Sequence, residues 1–184
     1  MLKRKIAGIN TIASVVIVMV AFAIHITPCQ GQMFHVLETP TENTFIASSF
    51  INDNEGWLAD DQGILWQTTD AGVSLEPIFS GKKFLKLYFI SALNGFALAE
   101  EDAYKTNNGG ESWQPLQLGN CSALWFVNSN TGFMSSSHKI YKTINGGSNW
   151  STINVEIPPV TDLYFVSEST GIACTADREL YQSI

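Results

Sequence analysis

YKTNNGGESW, residues 104–113, returns 37 positions later as YKTINGGSNW (141–150), and a worn copy, WQTTDAGVSL, stands 38 positions earlier at 66–75. Such a stretch is either a reactive loop copied three times or a turn that a repeating fold needs once per unit. The surrounding sequence repeats with it. Ser49–Leu58, Tyr88–Ala97, Trp125–Met134 and Tyr164–Ala173 share one pattern, and their glycines, Gly56, Gly95, Gly132 and Gly171, are separated by 39, 37 and 39 positions. In each unit an aromatic and β-branched run leads to a polar turn ending in glycine. A second apolar run, a polar gap and an aromatic residue opening the decapeptide follow.

Short apolar runs rich in β-formers, broken by Gly, Asn and Ser every 8–12 residues, predict antiparallel strands. No stretch beyond the first thirty residues keeps a helical period for three turns, so that part of the chain reads as all-β. The decapeptide has a structural task at each position. Asp70, Asn108 and Asn145 stand where a short polar side chain bonds amides two or three residues on and closes a turn. Gly72, Gly110 and Gly147 stand where a left-handed backbone is expected. The hydroxyls of Thr68, Thr106 and Thr143 are placed to satisfy another main-chain group. Trp113 and Trp150, with Leu75 in the weakest copy, open the next strand and bury a large apolar area.

Thr68-x-Asp70-x-Gly72, Thr106-x-Asn108-x-Gly110-x-x-Trp113 and Thr143-x-Asn145-x-Gly147-x-x-Trp150 resemble the Asp-box of BNR-type β-propellers. There the box marks the turn between the last two strands of a blade. With the upstream strand ending in Gly-(Phe/Trp), the repeat looks most like photosystem II stability/assembly-factor-like propellers, which are common among exported bacterial proteins. The resemblance spans roughly residues 45–184. It implies a fold more than an activity, because the box is shared by sialidases, sortilin-like receptors and non-catalytic propellers. Two of the three copies carry Asn in place of Asp, which keeps the turn and removes its charge.

The expected organisation is a signal segment over 1–31, a leading segment over 32–44, and propeller blades over 45–184 in approximate units 45–82, 83–120, 121–159 and 160–184. That is about three and a half four-stranded repeats, the last stopping inside its own box. Propellers close with about four to eight blades, so an incomplete propeller is expected. A truncated reading frame, assembly from several chains and a small or open ring are the three explanations.

Lys3, Arg4 and Lys5 precede an apolar stretch, Ile6 to Ile26, and then Thr27-Pro28-Cys29-Gln30-Gly31, the order of an export signal. An uncleaved anchor and a lipid on Cys29 are the alternatives, and a secreted, periplasmic or cell-surface location follows. Without the signal, seven Lys and Arg face 17 Asp and Glu, a net charge of −10. Such a surface repels phosphate backbones and anionic membranes, so nucleic acid is not an expected partner. Cys121 and Cys174 could pair or stay free; they carry no metal-ligand spacing.

The chemistry-bearing residues are few. The resemblance to sialidases implies an arginine triad, but only Arg178 follows the signal, and lysine lacks the planar fork of arginine. Asp60-Asp61 and Glu100-Glu101-Asp102 recur in register after the second apolar run. They read as a row of solvated turns, with an acid/base pair or a weak Ca²⁺ site as the sharper alternatives. His35 and His138 lack a partner at ligand spacing. Aromatic residues are read as blade-packing columns: Phe50, Tyr88, Trp125 and Tyr164; Trp57, Phe96 and Phe133; Trp66, Tyr104, Tyr141 and Tyr181. Trp57 and Trp125 break type and are candidates for a ligand-stacking rim. No catalytic residue, metal site or cofactor is assigned. The expected function is a non-enzymatic scaffold or binding module for a protein or glycan. The alternative is the N-terminal part of a longer secreted glycan-acting hydrolase or adhesin.

Overall fold

The computed structural model describes residues 36–153 and 157–183. The export signal over 1–31 and a lipid at Cys29 lie outside the described residues. Among them there are fifteen strands and no helix. The first sheet holds β1 (Phe45–Phe50), β2 (Gly56–Asp60), β3 (Ile64–Thr68) and β4 (Glu76–Ser80); the second holds β5 (Lys86–Phe89), β6 (Gly95–Leu98), β7 (Ala103–Thr106) and β8 (Gln114–Pro115). The third holds β9 (Ala123–Phe126), β10 (Gly132–Ser136), β11 (Lys139–Thr143) and β12 (Ser151–Ile153), and the fourth β13 (Val160–Phe165), β14 (Gly171–Thr175) and β15 (Leu180–Gln182). Strands follow one another antiparallel within every sheet, so each sheet is an up-and-down meander. Sheets stack face to face in chain order without closing a ring, an arc of propeller blades.

The apolar core lies between blades. Trp57 and Leu65 of the first meet Leu87 and Phe89 of the second. Phe96 and Leu98 of the second meet Leu124 and Phe126 of the third. Phe133 and Ile140 of the third meet Leu163 and Phe165 of the fourth. One arrangement organises all three layers. The phenylalanine ending the first strand of each blade pairs in register with the glycine opening the second: Phe50 with Gly56, Phe89 with Gly95, Phe126 with Gly132 and Phe165 with Gly171. Its ring lies flat over that glycine, and a Cβ there would come within 2.5 Å of the ring at Gly56 and Gly132, and 2.6 Å at Gly95. The other face of the ring receives the residue after the preceding blade's glycine. Trp57 stacks on Phe89 at 3.7 Å and 3°, Phe96 on Phe126 at 4.7 Å and 25°, and Phe133 on Phe165 at 3.6 Å and 2°.

This register corrects two expectations. Phe50 does not share a column with Tyr88, Trp125 and Tyr164; that place belongs to Ser49, while Phe50 aligns with Phe89, Phe126 and Phe165. Nor is Trp57 a rim residue. It is fully buried in the first interblade layer, with its Nε1 donating to the Gly109 carbonyl at 2.8 Å.

The recurring turn joins the third and fourth strands of blades one to three. Thr68 Oγ1 accepts from the Gly72 amide at 2.8 Å, and Thr106 and Thr143 do the same for Gly110 and Gly147 at 2.9 Å. Asp70, Asn108 and Asn145 reach the amides of Ser74, Ser112 and Asn149, four residues on where two or three was expected. The hydroxyl holds the near amide, which leaves the longer reach to the carboxylate or amide oxygen. Gly110 lies under Leu65 and Ile78 of the blade before, and Gly147 under Phe96. In the first blade, Leu37 of the leading segment packs over Gly72.

Gly132→Ala is expected to cost about 2–3 kcal/mol, because the Phe126 ring it displaces is already held by Phe96 and cannot move aside; chemical denaturation followed by tryptophan fluorescence reads the loss. Ala71 runs against its own backbone, at φ 62 where the later copies have glycine. Ala71→Gly is therefore expected to gain about 0.5–1 kcal/mol, the relief of left-handed strain less the entropy of glycine, seen as a higher thermal midpoint.

Candidate functional site

β1, β5, β9 and β13 are end strands of their sheets, and consecutive ones adjoin, so they form the inner wall of the arc. Lys86 Nζ of β5 reaches Asp162 Oδ1 of β13 at 3.2 Å, across the axis. End strands leave an edge of main-chain groups without a ladder partner. Here the preceding blade supplies side chains to that edge. The Phe89 amide donates to Ser49 Oγ at 2.8 Å, Tyr88 Oη donates to the Phe126 carbonyl at 2.9 Å, and Trp125 Nε1 donates to the Phe165 carbonyl at 2.8 Å. Burial pushes the Tyr88 phenol above its ordinary pKa, so it remains a donor at physiological pH. Trp125 is thus tied into a stitch between blades. Tyr164, next in the column, is 52% exposed.

Where the chain leaves these strands, the arc encloses a cavity of about 270 Å³. Ile51, Ile90 and Val127 contribute one apolar side chain per blade, the rings of Phe50, Phe89 and Phe126 lie beneath, and Asn128 and Ser129 stand at its edge. The recurring turns share this end of the molecule, since the amides of Ala71, Gly109 and Gly146 donate to the carbonyls of Asn54, Leu93 and Asn130 at 2.8, 2.9 and 2.9 Å.

The acidic turns at the opposite end are only in part the solvated row that their sequence predicts: Glu100 and Glu101 are exposed, whereas Asp60 and Asp102 are not free in solvent. Asp60 is fully buried and accepts from Asn43 Nδ2, the amides of Gln62 and Ile64, and Trp66 Nε1 at 2.8–3.0 Å. Burial alone would raise its pKa, but these donors together hold it below the ordinary value. Asp102 accepts from the amides of Ala103, Gln117, Leu118 and Gly119, closing its loop. Both carboxylates are spent on the protein's own donors. Among the described residues no three His, Cys, Asp or Glu side chains gather as a metal site.

Cys121 and Cys174 are both free thiols. Burial and the Asp102 charge push Cys121 up to about 12, which keeps it an unreactive thiol. His138 Nδ1 meets the Ile157 carbonyl at 3.0 Å, a partner the spacing did not show.

A second set of interblade ties was also not read from sequence. Lys105 Nζ donates to the Gly146 carbonyl at 2.8 Å and lies over Phe96; Lys142 Nζ donates to the Glu168 carbonyl at 2.9 Å and lies over Phe133. Burial lowers the Lys105 pKa. The first blade has Gln67 in the lysine column, and there the Trp57 indole caps Gly109, the carbonyl equivalent to Gly146. The paired change Trp57/Gln67 against Phe96/Lys105 and Phe133/Lys142 was the signal available in the repeats.

These blades define the class: an arc of a β-propeller. No family model matches the chain. In sequence it is similar to the photosystem II assembly lipoprotein Ycf48 of Synechococcus sp. (strain CC9902), 38% identical over 85 residues, 42% of this chain and 25% of the relative. The chain thus aligns with about a quarter of that relative's length. In fold it is similar to YCF48 bound to a D1 peptide, with a TM-score of 0.60 and 24% identity over 76% of this chain and 51% of that one. YCF48 from Cyanidioschyzon merolae gives 0.59 and 19% over 76% and 52%. An ancestral GH74 enzyme gives 0.64 and 14% over 76% and 22%, a likeness of fold alone. In repeat and in blade the chain is thus similar to the Ycf48 photosystem II assembly proteins.

Asp60→Asn leaves an amide NH₂ facing buried donors and is expected to cost about 1–3 kcal/mol. Because folding lowers the Asp60 pKa, its contribution is present above the unfolded carboxylate value and is lost as pH falls through the folded one. Denaturation midpoints should therefore converge for wild type and Asp60→Asn on acidification from pH 6 to pH 3.

Proposed function

We propose that this chain is a non-enzymatic propeller module that holds a segment of another protein at the axial end of its arc. The observation that carries the reading is the cavity bounded by Ile51, Ile90 and Val127. It is open and built from three blades, and these three side chains stand at the margins of the interblade layers, partly buried against the core. The Ycf48 similarity supports a protein partner, since one propeller of that kind is bound to a D1 peptide. The carboxylates Asp60 and Asp102 are engaged in holding loops, which argues against an acid/base pair there. An exported location, secreted or at the cell surface, belongs to the same proposal, on the strength of the N-terminal sequence. The glycan class of partner has no support of its own in the cavity, where one aromatic hydroxyl, that of Tyr88, is already bonded to the Phe126 carbonyl.

The D1 peptide and, separately, a neutral oligosaccharide are titrated into ¹⁵N-labelled chain. The expected result is saturable shifts of the Ile51, Ile90 and Val127 amides with the peptide and none with the sugar. Hydrolysis of either ligand, or peptide shifts confined to the opposite end, refutes the reading.

A further inference from the structure

The cavity has a charge environment that specifies its occupant. The turns around its mouth, residues 52–55, 91–94, 128–131 and 167–170, carry Asp53, Glu55 and Glu168 and no lysine or arginine. Asp70 and Glu111, in the recurring turns, lie at the same end. The cations are sorted the other way. Lys82 and Lys83 follow β4, Lys86 opens β5, Lys139 opens β11 and Arg178 precedes β15, all at the opposite end of their strands. Lys105 and Lys142 do lie toward the cavity end, each held by a main-chain carbonyl and a ring, but the carboxylates of Asp53, Glu55, Asp70, Glu111 and Glu168 outnumber them there. The mouth is therefore negative.

The floor adds a second requirement. The amide and carbonyl of one residue in a strand point to the same edge, and each stitch uses only one of the two. The Phe89 amide is taken by Ser49 and the Phe126 carbonyl by Tyr88. Their companions, the Phe89 carbonyl and the Phe126 amide, remain turned to the inner edge beside the cavity. A main chain in extended form satisfies an acceptor and a donor so placed. Ile51, Ile90 and Val127, partly buried at the margins of the interblade layers, offer the cavity its apolar side chains.

We infer that the axial cavity takes an extended, basic peptide segment: an apolar side chain sits among Ile51, Ile90 and Val127, with a flanking Lys or Arg directed to Asp53, Glu55 and Glu168. This rests on the protein-binding reading above and adds the site's selectivity. Asp53 and Glu55 make no side-chain hydrogen bond through their carboxylates among the described residues, so they are available to a ligand. The Glu168 carboxylate accepts from Thr131 Oγ1 at 3.0 Å and Asn128 Nδ2 at 3.3 Å, which fixes it at the cavity edge.

The probes are two fluorescein-labelled pentapeptides, Lys-Ile-Lys-Ile-Lys and Glu-Ile-Glu-Ile-Glu, followed by anisotropy against the full chain. The lysine peptide is expected to bind and the glutamate peptide not to. Asp53→Asn with Glu55→Gln should weaken the lysine peptide by about two- to tenfold, the worth of two exposed charge pairs, and flatten its salt dependence. Ile90→Thr with Val127→Thr should weaken it further, with circular dichroism confirming that both variants stay folded. Equal binding of both peptides, abolished by the threonine pair, overturns the charge selectivity and leaves the protein-binding reading intact. Binding that ignores the threonine pair overturns the cavity as the site, and the reading with it. If neither peptide binds, the inference falls, and the D1 titration decides the broader reading on its own.

Discussion

Everything in this molecule hangs on a ring held between a glycine and a neighbour. The Phe89 ring lies over Gly95 of its own blade and under Trp57 of the blade before, and Phe126 and Phe165 repeat the arrangement. Van der Waals contact on both faces leaves no room for a methyl group on the glycine side. The constraint therefore acts in two directions at once. It fixes the register of the first two strands within a blade, and it fixes the distance and tilt between blades. Because core area is shared between successive sheets, a blade alone would expose one face of its aromatic ring, which is why stability in such a fold resides in the pair.

Shape-fitting of rings does not by itself satisfy polar groups, and the inner edge of each blade presents a row of them. Ser49, Tyr88 and Trp125 meet that need with three different chemistries at one structural position. Ser49 accepts from an amide; the other two donate to a carbonyl. The column tolerates this variety because only reach and hydrogen-bonding capacity matter there. The carbonyls of the recurring turns show the same freedom, met by the Trp57 indole in one blade and by the Lys105 ammonium in the next. Apolar packing thus sets the geometry, and interchangeable polar ties finish it.

This division explains what could be read from the sequence. Gly56, Gly95, Gly132 and Gly171 announce the blades because nothing else fits beneath a flat ring, so the all-β arc was legible from period and glycine alone. Phe50 alone was placed one residue out, in the column of Tyr88, Trp125 and Tyr164 where Ser49 belongs. Tyr88, Trp125 and Tyr164 are as bulky as Phe89, Phe126 and Phe165, and the distinguishing fact is that Phe50 faces Gly56 while Ser49 faces Trp57. Asp60 was misread because Asp61, Gln62 and Gly63 make its neighbourhood look like an exposed hairpin; its partners Asn43 and Trp66 come from separate strands and segments. The cavity left no motif at all. Its walls are Ile51, Ile90 and Val127, one ordinary apolar residue from each of three blades, and only the curvature of the arc brings them together.

The same register identifies the side chains that the fourth blade leaves exposed. Ile172 holds the place of Trp57, Phe96 and Phe133, and Tyr164 that of Tyr88 and Trp125; both are exposed, with Val166 and Leu180 beside them. A neighbour that continues the arrangement needs a flat ring over a glycine to meet Ile172, and a main-chain carbonyl within reach of the Tyr164 hydroxyl. At the other end Leu37 has already taken the space over Gly72 that Leu65 and Ile78 take over Gly110 and Phe96 takes over Gly147. The two ends of the arc are therefore chemically unlike. One is covered by an irregular segment from the chain itself, and the other leaves Tyr164, Val166, Ile172 and Leu180 exposed. Growth of the stack is directional: each blade is read by the one that follows it, through a ring, a carbonyl and a glycine.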